Sequence, residues 1–330
     1  MQKLVDNFGR QINYVRLAVT DRCNLRCQYC MPAKGIDIVP RKELLTYKEM
    51  YRIIRVLTEL GVQKVRLTGG EPFVRKDFVQ FLEMLSFNDL LETINITTNG
   101  ALIAKHIPTL EKLSKIKSIN LSIDSLQSEK FHTITRRDVY KEVFESFELL
   151  EQSSLDLKLN VVVQSGFNTD EINDFVRLTR DKAIAVRFIE EMPFNGKGQR
   201  SLEEAWNFQR ILNEISSEFS LTKLPGAPSE TSRNYRAANH LGTVGIIPAF
   251  TRTICNDCNR IRLTSTGLLK NCLFDDGVFN IRDFIREGAS NDDLKQLFLQ
   301  LVKQKPKNGF EAEQNRKRGS VSESMSTIGG

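Results

Sequence analysis

Residues 21–30 read DRCNLRCQYC, which sets Cys23, Cys27 and Cys30 at a C-x3-C-x2-C spacing with Met31-Pro32 directly behind. The remaining cysteines, Cys255, Cys258 and Cys272, form a second triplet spaced C-x2-C-x13-C, about 225 residues downstream. Six cysteines in a chain of 330 residues are too sparse for a disulfide scaffold. Thiols clustered in this way in a reducing compartment point to metal. A structural zinc ion wants four Cys or His ligands. His106, His132 and His240 lie far from both triplets in sequence, although folding or a pooling of the triplets keeps zinc open. A [4Fe-4S] cubane held by three thiolates instead leaves one iron free for a small molecule carrying an amine and a carboxylate.

Two further groups of residues have chemical potential. Gly69-Gly70-Glu71-Pro72 follows a β-rich run. Its glycines allow close backbone approach to a ligand, the plain alternative being an ordinary turn between strand and helix. Arg16, Lys64, Arg66, Lys158 and Arg187 fall inside β-rich runs, and Arg260 and Arg262 follow Cys258. A charge there is costly if it faces an apolar core. Taken together they fit an anion-binding lumen, with arginine suited to forked contact with phosphate oxygens.

The elements that must position these residues are legible up to about residue 190. The β-rich runs VRLAVT (15–20), KVRLT (64–68), TINITT (93–98), SINLSI (118–123), LKLNVVV (157–163) and IAVRFIE (184–190) alternate with helical patterns. The best of these opens on a Thr46/Glu49 capping box and carries Met50, Ile53, Ile54, Leu57 and Leu60 on one stripe before Gly61. Others occupy 77–86, 101–115, 139–152 and 169–180. Such alternation implies parallel βαβ units, in an open doubly wound sheet or a curved barrel. The cysteine loop, the glycine motif, Asn99-Gly100, Asp124-Ser125 and Glu190-Glu191-Met192-Pro193 all follow strands. Barrels build their active sites at that end, so the expected fold class is α/β, a partial (β/α)6 TIM-like barrel. After about residue 200 the alternation gives way to a helical stretch near 201–217 and short strands around 243–247, 259–264 and 268–273. The expected organisation is a barrel over 1–200, a C-terminal extension of short strands carrying the second triplet over 201–300, and a tail over 301–330. Composition alone makes that polar tail disordered.

Hydrophobic residues at 40% and charged residues at 27% are ordinary for a globular chain. No apolar run approaches the roughly 18 residues of a membrane span, and the N-terminus lacks a signal-like apolar stretch. No membrane association and a cytoplasmic location are therefore expected. The net charge of +6 suits a nucleotide, a nucleic acid or a solvated basic surface.

C-x3-C-x2-C with Tyr29 before its last cysteine, joined to the Gly69-Gly70-Glu71-Pro72 motif, resembles the radical S-adenosylmethionine superfamily. The second triplet, in CNDCNRIRLTSTGLLKNC, resembles within it the molybdenum-cofactor biosynthesis protein A family, the GTP 3',8-cyclases. The likeness runs from LAVTDRCNLRCQYCMP through RLTGGEPFVRKD, LSIDSL and VRFIEEMP to the terminal MSTIGG. It implies two [4Fe-4S] clusters, one on Cys23, Cys27 and Cys30 that cleaves S-adenosylmethionine to a 5'-deoxyadenosyl radical, the other on Cys255, Cys258 and Cys272 that meets guanine. It implies S-adenosylmethionine contacts from Tyr29, Gly69, Gly70, Glu71, Ser122 and Met192. GTP contacts are implied for Arg16, Lys64, Arg66, Thr97, Lys158, Arg187, Arg260, Ile261 and Arg262, and a catalytic insertion for Gly329 and Gly330.

The reaction so implied removes the C3' hydrogen of GTP and closes C3' onto guanine C8, giving (8S)-3',8-cyclo-7,8-dihydroguanosine 5'-triphosphate. The resemblance also implies a homodimer, an electron donor such as flavodoxin, and transfer of product to cyclic pyranopterin monophosphate synthase. Two positions depart from the family pattern, Ile254 where an aromatic is expected and Phe147 where glycine is frequent. The rival readings are a peptide-modifying radical maturase, which would carry more C-terminal cysteines, and a non-enzymatic nucleic-acid binder. The latter needs stacking aromatics that NRIRLTSTG lacks.

Overall fold

The computed structural model describes residues 2–194, 205–227, 229–317 and 323–329. Twelve strands form one continuous sheet: β1 (Tyr14–Ala18), β2 (Lys64–Thr68), β3 (Thr93–Thr98), β4 (Ile116–Ser122), β5 (Asp156–Val163), β6 (Ala185–Glu190), β7 (Leu221–Lys223), β8 (Arg233–Ala237), β9 (Thr243–Ile247), β10 (Arg260–Leu263), β11 (Leu268–Lys270) and β12 (Phe279–Asn280). Their order is β12-β11-β10-β1-β2-β3-β4-β5-β6-β9-β8-β7. The six expected strands run parallel in sequence order, as a partial (β/α)6 barrel requires. The C-terminal strands do not sit apart from it. β10 continues the parallel sheet beside β1, β9 continues it beside β6, and antiparallel hairpins finish both edges.

The period of two in each strand divides the sheet into an apolar face and a polar one. Val15 and Leu17, Val65 and Leu67, Ile94 and Ile96, Leu159 and Val161, and Val186 and Phe188 are all buried in the main core, against the helices. The alternate residues face the concave side. The helix Tyr47–Glu59 begins on the Thr46/Glu49 capping box and buries Met50, Ile53, Ile54 and Leu57, as its stripe required. Phe147 fills a core position in the helix Tyr140–Glu151.

Several elements differ from the sequence reading. The pattern at 101–115 yields only a 3-10 turn and the helix Ile107–Lys112, since Leu113 leaves helical geometry. The helix expected over 201–217 is Phe208–Glu218, with 201–204 outside the described residues. Helix Ser128–Thr135 and strands β7, β8 and β12 carry too few periodic residues to have been anticipated. The region from residue 301 is a correction. It contains the end of the helix Asn291–Val302, then Gly309–Gln314 and Met325–Ile328. Its polar composition hides buried contacts from Lys305, Ala312, Ser326 and Ile328 that anchor it. Among the described residues, no helix is long and apolar enough to cross a membrane.

Candidate active site

The concave side of the sheet encloses a cavity of about 600 Å³ lined by all six cysteines. The loop after β1 is pinned from the helix Ser128–Thr135 and its flank, with Arg26 N–H donating to Thr135 O (2.9 Å) and Gln28 N–H to Ile134 O (3.0 Å). Leu25 N–H and Asn99 Nδ2 both point at Cys23 Sγ, at 3.4 and 3.7 Å. Such donors favour a thiolate or a metal-bound sulfur. The Tyr29 hydroxyl donates to Asp124 (2.9 Å), whose other oxygen accepts from Val162 N–H, so the aspartate that follows β4 fixes the aromatic of the motif.

The glycine motif packs on this loop. A Cβ at Gly69 would lie 2.3 Å from Thr20 O, and one at Gly70 would lie 2.2 Å from Arg22 O. No side chain fits where the two backbones meet, although both glycines also line the cavity. Glu71 does not line it. Its buried carboxylate accepts from Phe73 N–H, Thr98 Oγ1 and Asn99 N–H (2.7 Å), and burial raises its pKa to about 7 against those hydrogen bonds. Glu71 thus braces the turn after β3 behind the cavity wall.

Cys255 and Cys258 lie between β9 and β10, and Cys272 follows β11. Burial would raise the Cys258 thiol, but Lys305 and Arg260 outweigh it and bring it down to about 6. Burial pushes the Cys23 and Cys272 thiols up to about 11 and Cys30 to about 12. All six cysteines are free. Among the described residues, no group of three Cys, His, Asp or Glu side chains is arranged around a single point. Three unpaired thiols facing one cavity fit a larger multi-iron group with a side open to the cavity. Cys23, Cys27 and Cys30 would hold one such group, and Cys255, Cys258 and Cys272 a second.

Cations line the same cavity. Register places Arg262, Arg16 and Arg66 side by side across β10, β1 and β2. Arg66 donates from Nε to the Tyr14 hydroxyl (2.6 Å) and from Nη1 to Thr97 Oγ1 (3.2 Å). Lys64, Lys158, Arg187 and Arg260 line the same cavity. Arg16 Nε and two nitrogens of Arg187 are buried without a hydrogen-bond partner among the described residues. Burial, aided by like charges nearby, lowers Arg16 to about 10 and Arg187 and Arg262 to about 9, and depresses Lys158. A set of crowded, partly unsatisfied cations is matched by an anion with many oxygen atoms. Ile261 is no part of this wall, because the alternation turns its side chain into the apolar core.

Ser122 and Met192 line the cavity. The segment after residue 322 closes over it: Ser324 Oγ donates to Cys30 O (2.7 Å), and Arg262 Nη1 donates to Gly329 O (2.6 Å). At φ +76°, Gly329 lies so close to β1 and β2 that a Cβ would come within 3.0 Å of Ala18 Cβ and 3.1 Å of Thr68 Cγ2. Gly330 lies outside the described residues. Sequence reasoning passed over Tyr14, Asn120 and Asn160, which line the cavity, and Lys305, which donates to Arg260 O (2.7 Å). Only the concave-face alternation could have pointed to the first three.

Comparison with known proteins matches residues 17–179 to the Radical SAM superfamily and residues 184–311 to Molybdenum Cofactor Synthesis C. The mitochondrial GTP 3',8-cyclase of Arabidopsis thaliana is 40% identical over 92% of this chain and 77% of its own. The GTP 3',8-cyclase of Desulforamulus reducens is 38% identical over 92% of this chain and 94% of its own. Molybdenum cofactor biosynthesis protein 1 of Drosophila melanogaster is 40% identical over 94% of this chain, which spans only 55% of that longer protein. Among solved structures, Streptococcus suis SuiB aligns with a TM-score of 0.61 at 14% identity, over 88% of this chain and 66% of its own. The anSMEcpe structure with bound AdoMet aligns at 0.60 and 15% identity, over 96% and 89%. At those identities the two structures speak for the fold.

Proposed function

The chain belongs to the GTP 3',8-cyclase family of the radical SAM superfamily, and from that premise we propose that it converts GTP to (8S)-3',8-cyclo-7,8-dihydroguanosine 5'-triphosphate for molybdenum cofactor biosynthesis. The observation that carries this reading is the row of buried cations, Arg16 and Arg187 with unsatisfied nitrogens, on the wall of a cavity that both cysteine triplets share. Arg16, Arg66 and Arg262 grip the triphosphate, with Lys64, Lys158, Arg187 and Arg260 around it. Thr97, held by Arg66, fixes the edge of the phosphate site.

The cofactors of this reading are S-adenosylmethionine and two [4Fe-4S] clusters. Cys23, Cys27 and Cys30 would hold the first cluster, which with S-adenosylmethionine would supply a 5'-deoxyadenosyl radical for abstraction of the ribose C3' hydrogen. The residues of the chain set distance and exclude water. Tyr29 is locked by Asp124, and Gly70, Ser122 and Met192 line the cavity in which S-adenosylmethionine would lie. Cys255, Cys258 and Cys272 would hold the second cluster, which would supply an open iron to the guanine. Gly329 closes the site as an insertion without a side chain, a role suited to its tight fit, and the catalytic role proposed for it extends to Gly330, outside the described residues. A homodimer, a flavodoxin-type electron donor, transfer to cyclic pyranopterin monophosphate synthase and a cytoplasmic location complete the proposal.

Anaerobic turnover of the iron-loaded protein with S-adenosylmethionine, a reductant and GTP deuterated at C3' tests it directly. Deuterium is expected in the 5'-deoxyadenosine. Unlabelled 5'-deoxyadenosine would remove GTP as the substrate while leaving the first triplet correctly read.

A further inference from the structure

Tyr14 has a role in the same cavity that the family motifs do not assign. It stands on β1, in register with Lys64 on β2 and Arg260 on β10. Its hydroxyl accepts from Arg66 Nε at 2.6 Å, and Lys64 Nζ lies 5.6 Å from the ring centroid. Arg16 follows on the same face of its own strand, and Arg187 acts on it from β6. The charged groups that face the phenol from β1, β2, β10 and β6 are therefore all cations. Beyond those strands, Glu230 acts on Arg187, and Arg260 hydrogen-bonds to Cys258. The phenol is the acidic group that Arg66 holds directly, with Arg16 beside it.

We propose that Tyr14 is the resident counter-anion of the phosphate site: as a phenolate it balances Arg66 and Arg16 in the empty cavity, and it takes up a proton when a polyphosphate replaces it. The inference rests on the reading of the cavity as a triphosphate site. Burial alone would raise the phenol, but Arg66 and Arg16, with Arg260, outweigh it and bring ionisation down to about 7. The exchange forms one O–H bond, with the proton drawn from solvent or from the terminal phosphate, and breaks no other covalent bond of the protein. Once phosphate oxygens occupy Arg16 and Arg66, the phenolate loses its partners and gains anionic neighbours, so its pKa rises.

The sign of the linkage follows. Below pH 7 the phenol is already protonated and binding moves no proton. Above it, each binding event takes up a proton, and affinity falls by about tenfold per pH unit until the phenol ionises in the complex. Tyr14→Phe keeps the ring and the cations and loses the acid. Its affinity at pH 8 is expected to change with pH only as the ligand's own phosphate titration dictates.

The test compares oxidised, cluster-loaded wild-type protein with Tyr14→Phe in the near-ultraviolet tyrosinate band, without S-adenosylmethionine, so that no turnover occurs and cluster absorbance cancels in the difference. Expected is a single tyrosine ionising near neutrality in the ligand-free pair, whose signal at pH 8 disappears on adding inorganic tripolyphosphate or GTP. No ionisation below pH 9, or a tyrosinate that persists in protein saturated with tripolyphosphate, overturns the proposal. Loss of the signal with tripolyphosphate and not with GTP keeps Tyr14 as the counter-anion and removes GTP as the ligand. A tyrosinate unchanged by either ligand, in protein that turns GTP over once S-adenosylmethionine and reductant are supplied, overturns the role of Tyr14 and keeps GTP as the substrate.

Discussion

At the scale of single residues, the local spacing of the cysteines and glycines made their chemistry legible, because a loop of ten residues can gather thiols without help from the rest of the fold. What the sequence hides is which way a neighbour points. Glu71 belongs to the motif yet turns behind the cavity, where Phe73 N–H, Thr98 Oγ1 and Asn99 N–H depend on its carboxylate. Glu71→Ala leaves three buried donors unsatisfied and is expected to cost on the order of 3 kcal/mol in urea unfolding at pH 5. The folded pKa of about 7 lies above the unfolded value near 4.3, so the stability contributed by the protonated group is full below about pH 4 and is lost as pH rises through 7. The gap between wild type and variant should therefore narrow from pH 5 to pH 8. A gap that widened over that interval would contradict the assignment. Ile261 makes the same point: it sits between two cavity arginines in sequence and faces the opposite way in space.

At the scale of elements, the strands and the first helix were readable because β-branched runs and a capping box act locally. The C-terminal third was not, since its elements are short and gain their stability from tertiary partners. Arg252 shows how. Its guanidinium lies 3.7 Å from the Phe274 ring centroid and 4.5 Å from that of Phe310, donates to Gly309 O (2.9 Å) and pairs with Glu313 (2.7 Å). The six-residue helix Gly309–Gln314 is too short to persist alone and is fastened through this side chain to the loop that carries Cys255. Arg252→Ala is expected to cost about 2–4 kcal/mol. Amide hydrogen exchange at residues 310–314 should rise more than that of β1 to β6. Uniform exchange across the chain would mean that this helix is not an independent unit.

At the scale of the whole molecule, the polar interior is a reservoir of unfavourable charge that a ligand can discharge. Arg16, Arg187, Arg262 and Lys158 all hold protons less readily than in water, through burial first and mutual repulsion second. Inorganic tripolyphosphate at about a hundred times its Kd is expected to stabilise the protein by about 2.7 kcal/mol and to raise its unfolding temperature. Added salt should weaken that shift by screening. A thermal shift no larger than that from monovalent phosphate would argue that the cations do not act as one site. The placing of β10 beside β1 has a further bearing, on synthesis. Arg16 and its in-register neighbour Arg262 are 246 residues apart, which a ribosome moving at 5–20 residues per second spans in about 12–50 s. Through that interval the nascent chain carries β1 with one edge unpaired, a ready template for the wrong strand. Lowering the growth temperature, or supplying a chaperone that shields strand edges, should therefore improve the yield of native protein more than any change to the cluster supply.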